Sequence, residues 1–351
     1  MLHGKPEIST FATTGVRPMG GFRSAGRDVV CYASSFVPPE WIAAHGLRPW
    51  RLLPGDDTGQ AGPVNGLERE GLCAYAADIA TRAKNRIMVF ATTCDQMRRL
   101  ADGTALDKGN TFRMHVPATW DTPGAADYYR SELIRLGRYL DRIGGRTPSN
   151  SDVIAQMQRY ETGRQQLLAS RGQLCAREYS TLTSQFYQTG KLPPLAGAAS
   201  PLRSGIPLML LGSPLRPQDL NILDQIEVAG GQVVVDATDT GEREWPRPFD
   251  RARMQADPFR ELTDAYFENI PAVFRRPNQA LFKWLQKKAF TPPDLRGVVF
   301  VTHPWCDLWK AELPRLHETL SVPILHLALG GSIACHESRA TRIEAFLEMI
   351  T

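Results

Sequence analysis

The chain has 351 residues, of which 42% are hydrophobic and 22% charged, and its formal net charge is +4. This is an ordinary globular composition with enough length for two or three domains, and its small, dispersed basic excess does not indicate nucleic-acid binding. The sequence contains no run of about 18 apolar residues, so it predicts no membrane span. We expect a cytoplasmic protein without nucleic-acid or membrane partners.

The N-terminal third alternates between extended and helical patterns. Residues 1–27 lack an apolar signal segment and predict a flexible tail. Residues 28–120 then predict an α/β domain, because short extended segments alternate with helical ones and parallel strands need such crossovers. The predicted strands are 27–36, 47–53, 86–95 and 111–116, and the predicted helices are 39–46, 71–84 and 96–102, with a Gly- and Asp-rich loop at 55–67.

The remaining chain predicts a helical segment followed by a second alternating domain. Residues 121–204 carry three helical patterns and end in a linker rich in Pro, Gly and Ala at 192–205. Residues 205–351 predict another α/β domain with a helical insertion at 258–289. Its predicted strands are 206–214, 232–238, 297–303 and 322–329. The fold class is therefore α/β: two Rossmann-like parallel-sheet domains with a helical middle segment.

Two distant strands end in the same way. VFATTCDQM (89–97) and VFVTHPWCDLW (299–309) each lead from an apolar strand to a Cys-Asp pair and a helix. In open parallel sheets ligands bind beyond the carboxyl ends of strands. We expect the helix N-terminus to lower the pKa of Cys94 and Cys306, which favours the thiolate that soft metals and iron–sulfur clusters require. Asp95 and Asp307 are expected to cap their helices, and two unrelated buried cysteines remain the alternative.

Other polar residues at strand ends give weaker signals. Ser34 and Ser35 follow the first strand, where a turn role is favoured over ligand binding. His303 is expected at the surface. Hydrolase, ATPase and dinucleotide motifs are absent from the sequence. A transferase with a cysteine nucleophile lacks an identified histidine partner.

Several segments together resemble one family, the 2-hydroxyacyl-CoA dehydratase and benzoyl-CoA reductase subunits. The resemblance runs from about residue 28 to the end, in matching order. Its segments are SSFVPPEWIAAHGLRPWRL (34–52), GLCAYAADI (71–79), FATTCDQMRRL (90–100), WDTPGAADYYRSELIRLGRYLDRIGG (120–145), PLMLLGSPL (207–215), VAGGQVVVDATDTGER (228–243), GVVFVTHPWCDLWKAELPRL (297–316) and TRIEAFLEMI (341–350).

The resemblance implies a [4Fe–4S] cluster held by Cys73, Cys94 and Cys306, with Ser35 near the iron that has no cysteine. It implies an acyl-CoA substrate, a homologous partner subunit and an ATP-dependent activator that supplies one electron. The implied reaction is the removal of water from a 2-hydroxyacyl-CoA through a ketyl radical. Where the family commonly has Pro and a basic residue after the first cysteine, this chain has Ala-Tyr-Ala.

Two alternatives stay open within this family. The chain could be a benzoyl-CoA reductase-like subunit, or a cluster-free structural partner that kept the fold and lost the chemistry. The sequence does not identify the acyl group or the CoA-binding residues. The three remaining cysteines, Cys31, Cys175 and Cys335, have no assigned role.

Overall fold

The computed structural model describes residues 28–54, 71–103, 109–193, 204–290, 294–329 and 333–351, without the side chains of 333–336. The predicted tail at 1–27, the loop at 55–67 and most of the linker at 192–205 lie outside the described residues. Among the described helices, none combines the length and apolar character that a bilayer crossing needs.

The first sheet has the four predicted strands, all parallel, in the order β2-β1-β3-β4. The strands are β1 Val29–Tyr32, β2 Arg48–Arg51, β3 Ile87–Ala91 and β4 Thr111–Met114. The first six helices are α1 Pro39–Ala44, α2 Ala74–Ala83, α3 Asp95–Asp102, α4 Ala125–Arg142, α5 Asn150–Ser170 and α6 Ala176–Thr189. Helices cover both faces of the sheet, which explains why β1 is buried along its whole length.

The second sheet repeats this plan, with all strands parallel in the order β6-β5-β7-β8. Its strands are β5 Ile206–Gly212, β6 Gly231–Thr238, β7 Gly297–Thr302 and β8 Ile324–Ala328. The helices that follow β5 in the chain are α7 Asn221–Val228, α8 Arg251–Ala256, α9 Pro258–Asn269, α10 Gln279–Ala289, α11 Asp307–Thr319 and α12 Ile333–Ile350. The α/β architecture with two parallel sheets is confirmed.

The predicted continuous helical region 258–289 is interrupted. Helix α9 ends at Asn269 and α10 begins at Gln279, with Pro271 and Pro277 between them. Proline removes a backbone donor and restricts the residue before it, so the helix cannot run through this stretch.

Helix packing crosses the order of the chain. Leu262 and Phe267 of α9 pack with Tyr129 and Leu133 of α4 in the core of the first sheet. Helix α6 contacts both β2 and β6, which are edge strands of the two sheets. The middle helices thus join the two sheets, and the limits set at 120 and 204 stay a prediction.

Gly212 gives a sharp test of the second sheet. It ends β5 with φ +127°, and a Cβ there would overlap the Val301 carbonyl oxygen of β7. We predict that Gly212→Ala lowers the free energy of unfolding by at least about 2 kcal/mol, because strain and overlap add. Chemical denaturation measures this.

The matched control is Gly172→Ala, because a Cβ on the exposed Gly172 meets no atom within 4 Å. This control should leave the free energy of unfolding unchanged or raise it by up to about 1 kcal/mol. Equal effects of the two substitutions would contradict the described register of β5 and β7.

Candidate functional site

One cavity of about 280 Å³ lies where the carboxyl ends of the two sheets face each other. Ser35 follows β1, Arg51 ends β2 and Cys94 follows β3, whereas Asp239 follows β6 and Cys306 follows β7; all five line the cavity. Since one water needs only about 10–15 Å³ by such a measure, the cavity is large enough for a cofactor or a substrate group.

The three cysteines singled out in the sequence are brought together at this cavity, although Cys73 and Cys306 are 233 residues apart in the chain. Each occupies the N-cap position of a helix: Cys73 of α2, Cys94 of α3 and Cys306 of α11. The Cys73 sulfur accepts a hydrogen bond from the Ala76 N–H at 3.4 Å, and the Cys94 sulfur accepts one from the Met97 N–H at 3.5 Å. The site therefore combines three sulfurs with helix N-termini, where partial positive charge collects.

The expected lowering of the thiol pKa is wrong. Burial raises the pKa of Cys73 to about 11, and raises the pKa of Cys94 and Cys306 to about 12. The backbone N–H groups act in the opposite direction but are outweighed, and the thiols also disfavour one another's ionisation. The free-energy cost of removing a thiolate from water is larger here than the stabilisation that the helix N-termini provide.

The capping role expected for Asp95 is filled by its neighbour. The Cys94 sulfur makes the N-cap hydrogen bond, while Asp95 is the first residue of α3, largely exposed, and pairs with Arg98 at 3.2 Å. Asp307 likewise is the first residue of α11. An acidic residue in the first turn still stabilises the helix through its dipole.

Ser35 is held from the opposite half of the chain. Its hydroxyl donates to the carboxylate of Glu244, which lies shortly after β6 and also pairs with Arg243 at 2.7 Å. Ser34 instead accepts a hydrogen bond from the Phe36 N–H at 3.2 Å, the turn role that the sequence favours. Because the Ser35 proton is committed to Glu244, the lone pairs of its oxygen remain available as acceptors.

Asp239 and Trp309 form a polar corner of the cavity. The Trp309 Nε1–H donates to Asp239 Oδ2 at 3.0 Å, and the Arg243 guanidinium pairs with Oδ1. Burial raises the pKa of Asp239 to about 6, while Arg243 opposes the shift and Glu244 adds to it. The partly buried Asp239 carboxylate and the buried Arg243 guanidinium thus share this corner, and each partly compensates the charge of the other.

Arg51 is a cavity residue that the sequence did not single out. It is 3% exposed, its guanidinium lies 4.1 Å from the centre of the Tyr187 ring, and its Nη2 donates to the Asp239 carbonyl at 3.3 Å. The position of Arg51 at the end of β2 could have predicted its place in the site, because ligands bind at the carboxyl ends of parallel strands. The same holds for Asp239, which follows β6. Glu244 carried no such signal.

The other cysteines have different surroundings. Cys31 is fully buried in the core around α2 and β3, and Cys175 is the N-cap of α6, where its N–H donates to Glu178. The side chain of Cys335 lies outside the described residues.

The surface position expected for His303 is wrong, since His303 is 0% exposed and its Nε2 forms a hydrogen bond with the Pro214 carbonyl at 2.9 Å.

The described cavity residues are not spaced for a single ion. Within the described part of the chain, no group of three or more His, Cys, Asp or Glu side chains could hold one metal ion as it stands. A multi-iron cluster binds its cysteines through different irons, so its ligands are spread around the cluster rather than gathered on one atom.

Fold and site define a class of protein: two Rossmann-like sheets whose strand ends, with three cysteines, enclose one cavity. Comparison with known families gives the particular one. The family model of the 2-hydroxyglutaryl-CoA dehydratase D-component matches residues 34–350, so the chain belongs to this family. The family resemblance seen in the sequence is confirmed.

Comparison with curated proteins finds a similar subunit of another acyl-CoA enzyme. The chain is 22% identical over 323 residues to a benzoyl-CoA reductase subunit of Thauera aromatica, across 84% of this chain and 83% of the relative. The names of the family and of this relative each denote one component of an enzyme that has several.

The Ser35–Glu244 contact predicts measurable coupling between the halves. Ser35→Ala should lower the free energy of unfolding by about 1.5–3 kcal/mol, because it removes a hydrogen bond to a charged group. Combined with Glu244→Gln in a double-mutant cycle, it should give a coupling of about 0.5–3 kcal/mol in denaturation experiments.

The control is Ser131→Ala on the exposed face of α4, where the hydroxyl donates to the Asp127 carbonyl one turn earlier. That variant should change the free energy of unfolding by less than about 0.5 kcal/mol. Strict additivity of the Ser35 and Glu244 variants would rule out a direct contact.

Proposed function

We propose that the chain is a [4Fe–4S]-cluster-bearing component of a 2-hydroxyacyl-CoA dehydratase-type enzyme. The observation that carries the proposal is the convergence of Cys73, Cys94 and Cys306 on one cavity. These cysteines come from three separate segments, all inside the region that matches the family.

The donor set fits such a cluster. Thiolates are the usual ligands of [4Fe–4S] clusters, and three cysteines leave one iron open to another ligand. Cluster binding deprotonates the thiols, which relieves the cost that burial places on the bare thiolates. N–H groups that already point at the Cys73 and Cys94 sulfurs would stabilise the ligated thiolates.

When bound, the cluster would supply one-electron transfer and a Lewis-acidic iron. The Ser35 oxygen, with its proton held by Glu244, would offer an acceptor at the wall of the cavity. The Arg51 guanidinium would add positive charge beside it, and the buried rings of Phe36 and Trp309 would limit water. Reactive intermediates are protected when water is excluded in this way.

The proposed reaction converts a 2-hydroxyacyl-CoA into an unsaturated acyl-CoA and water. One electron, delivered by an ATP-dependent activator, converts the thioester carbonyl into a ketyl radical. The hydroxide leaves from C2 and a proton leaves from C3, so one water is lost, and the electron is returned at the end. We also propose a homologous partner subunit. The names of the family and of the relative support a complex of several components.

Two alternative functions are each supported by a specific observation. The similarity to the benzoyl-CoA reductase subunit favours a reductase-like role in which the chain passes electrons to an aromatic ring. The Ala-Tyr-Ala sequence after Cys73 favours a cluster-free structural partner.

We also propose that the protein is cytoplasmic. The five described cysteines are free thiols, and the reducing cytoplasm maintains thiols in this state.

The test is cluster content under strict anaerobiosis. The purified or reconstituted chain should carry about four iron and four sulfide with broad visible absorbance. Cys306→Ala should lose most of the iron and sulfide, because the second half then contributes no thiolate to the cavity.

Cys175→Ala provides the matched control, since Cys175 is also an N-cap cysteine but lies outside the cavity. It should keep the full cluster. A parent protein that takes up neither iron nor sulfide, yet associates with a homologous chain, would favour the structural partner instead.

A further inference from the structure

Gln96 touches the chain beside all three cavity cysteines. It is the second residue of α3, two positions after Cys94. Its Oε1 accepts a hydrogen bond from the Cys73 backbone N–H at 2.9 Å. Its Nε2 donates to the Gly71 carbonyl at 3.2 Å and to the Trp305 carbonyl, next to Cys306, at 3.4 Å.

The chemistry of these contacts fits glutamine in one orientation only. A carboxamide offers one acceptor oxygen and two N–H donors, and all three are used here. The Cys73 N–H can only donate, whereas the Gly71 and Trp305 carbonyls can only accept. Glutamate has the acceptor but no donors, and alanine has neither.

The Trp305 contact fixes an unfavourable stretch of backbone. Trp305 has φ +64°, a left-handed conformation that non-glycine residues rarely adopt, and its side chain is 54% exposed. Burial of the indole therefore contributes little to holding this conformation. The hydrogen bond from Gln96 restrains the peptide group that joins Trp305 to Cys306.

The same contact crosses between the two halves of the chain. Gln96 follows β3 of the first sheet, and Trp305 follows β7 of the second. The restraint therefore acts between Cys73 and Cys94 on one side of the cavity and Cys306 on the other.

We propose that Gln96 is a positioning residue that sets the placement of Cys73, Cys94 and Cys306 relative to one another. The inference rests on the proposed function only in treating the three thiols as one ligand set. Mutation of a residue that orients metal ligands in this way commonly lowers metal affinity by about 10- to 100-fold.

The first test needs no cluster. Hydrogen exchange of the reduced, metal-free, full-length protein is followed in two peptides, 71–76 and 303–309. Gln96→Ala should speed exchange at least about tenfold in both, because both segments lose their restraint. Gln96→Glu should keep the Cys73 amide in 71–76 protected, since it keeps the acceptor, and should loosen 303–309, since it loses the donor to the Trp305 carbonyl.

Arg98→Ala is the control on the same helix, because Arg98 is exposed and pairs with Asp95. It should leave both peptides unchanged. If Gln96→Ala affects only its own helix and spares 303–309, the role is local and the proposal is overturned.

The second test uses the reconstituted protein and the rate of iron release to a chelator. If the parent binds a cluster, Gln96→Ala should release iron about 10- to 100-fold faster, with Arg98→Ala unchanged. Equal release rates in parent and Gln96→Ala would overturn the inference while leaving the proposed function intact. If the parent binds no iron, the proposed function fails and the exchange result alone decides the role of Gln96.

Discussion

The parallel arrangement of both sheets is the constraint on which the site depends. Parallel strands all end at one edge of their sheet, and each sheet here has a switch in strand order, between β1 and β3 and between β5 and β7. Such switch points open a crevice at the carboxyl ends. Because the two crevices face each other, Cys94 and Cys306 meet at one cavity from equivalent positions in the two halves.

Burial and helix ends oppose each other at the three sulfurs. The N-terminal amides favour a negative charge, yet the cavity is enclosed enough that burial dominates and each thiol pKa rises. A site with this balance holds neutral thiols when bare and becomes favourable for thiolates only when positive charge enters with them. The amides then add to the stability of the charged state.

The sequence predicted the elements that depend on local patterns. All eight strands were located from short extended segments between helical patterns and turn signals, and Ser35, Cys94 and Cys306 were placed at strand ends by topology. Cys73 precedes a helix rather than following a strand, so only family resemblance singled it out. Depth of burial, the packing of α9 on the first sheet and the contacts of Glu244 and Gln96 depend on distant segments, which no local pattern encodes.

Assembly of the cavity would be thermodynamically linked to the proposed ligation by its cysteines. Polar contacts join the halves around the cavity: Ser35 to Glu244, Arg51 to the Asp239 carbonyl and Gln96 to the Trp305 carbonyl. Arg216 pairs with Asp78 at 3.7 Å nearby. A group that binds all three cysteines binds only the arrangement in which these contacts exist. Its binding energy therefore stabilises the interface between the halves, and each contact that preorganises the interface strengthens binding in return.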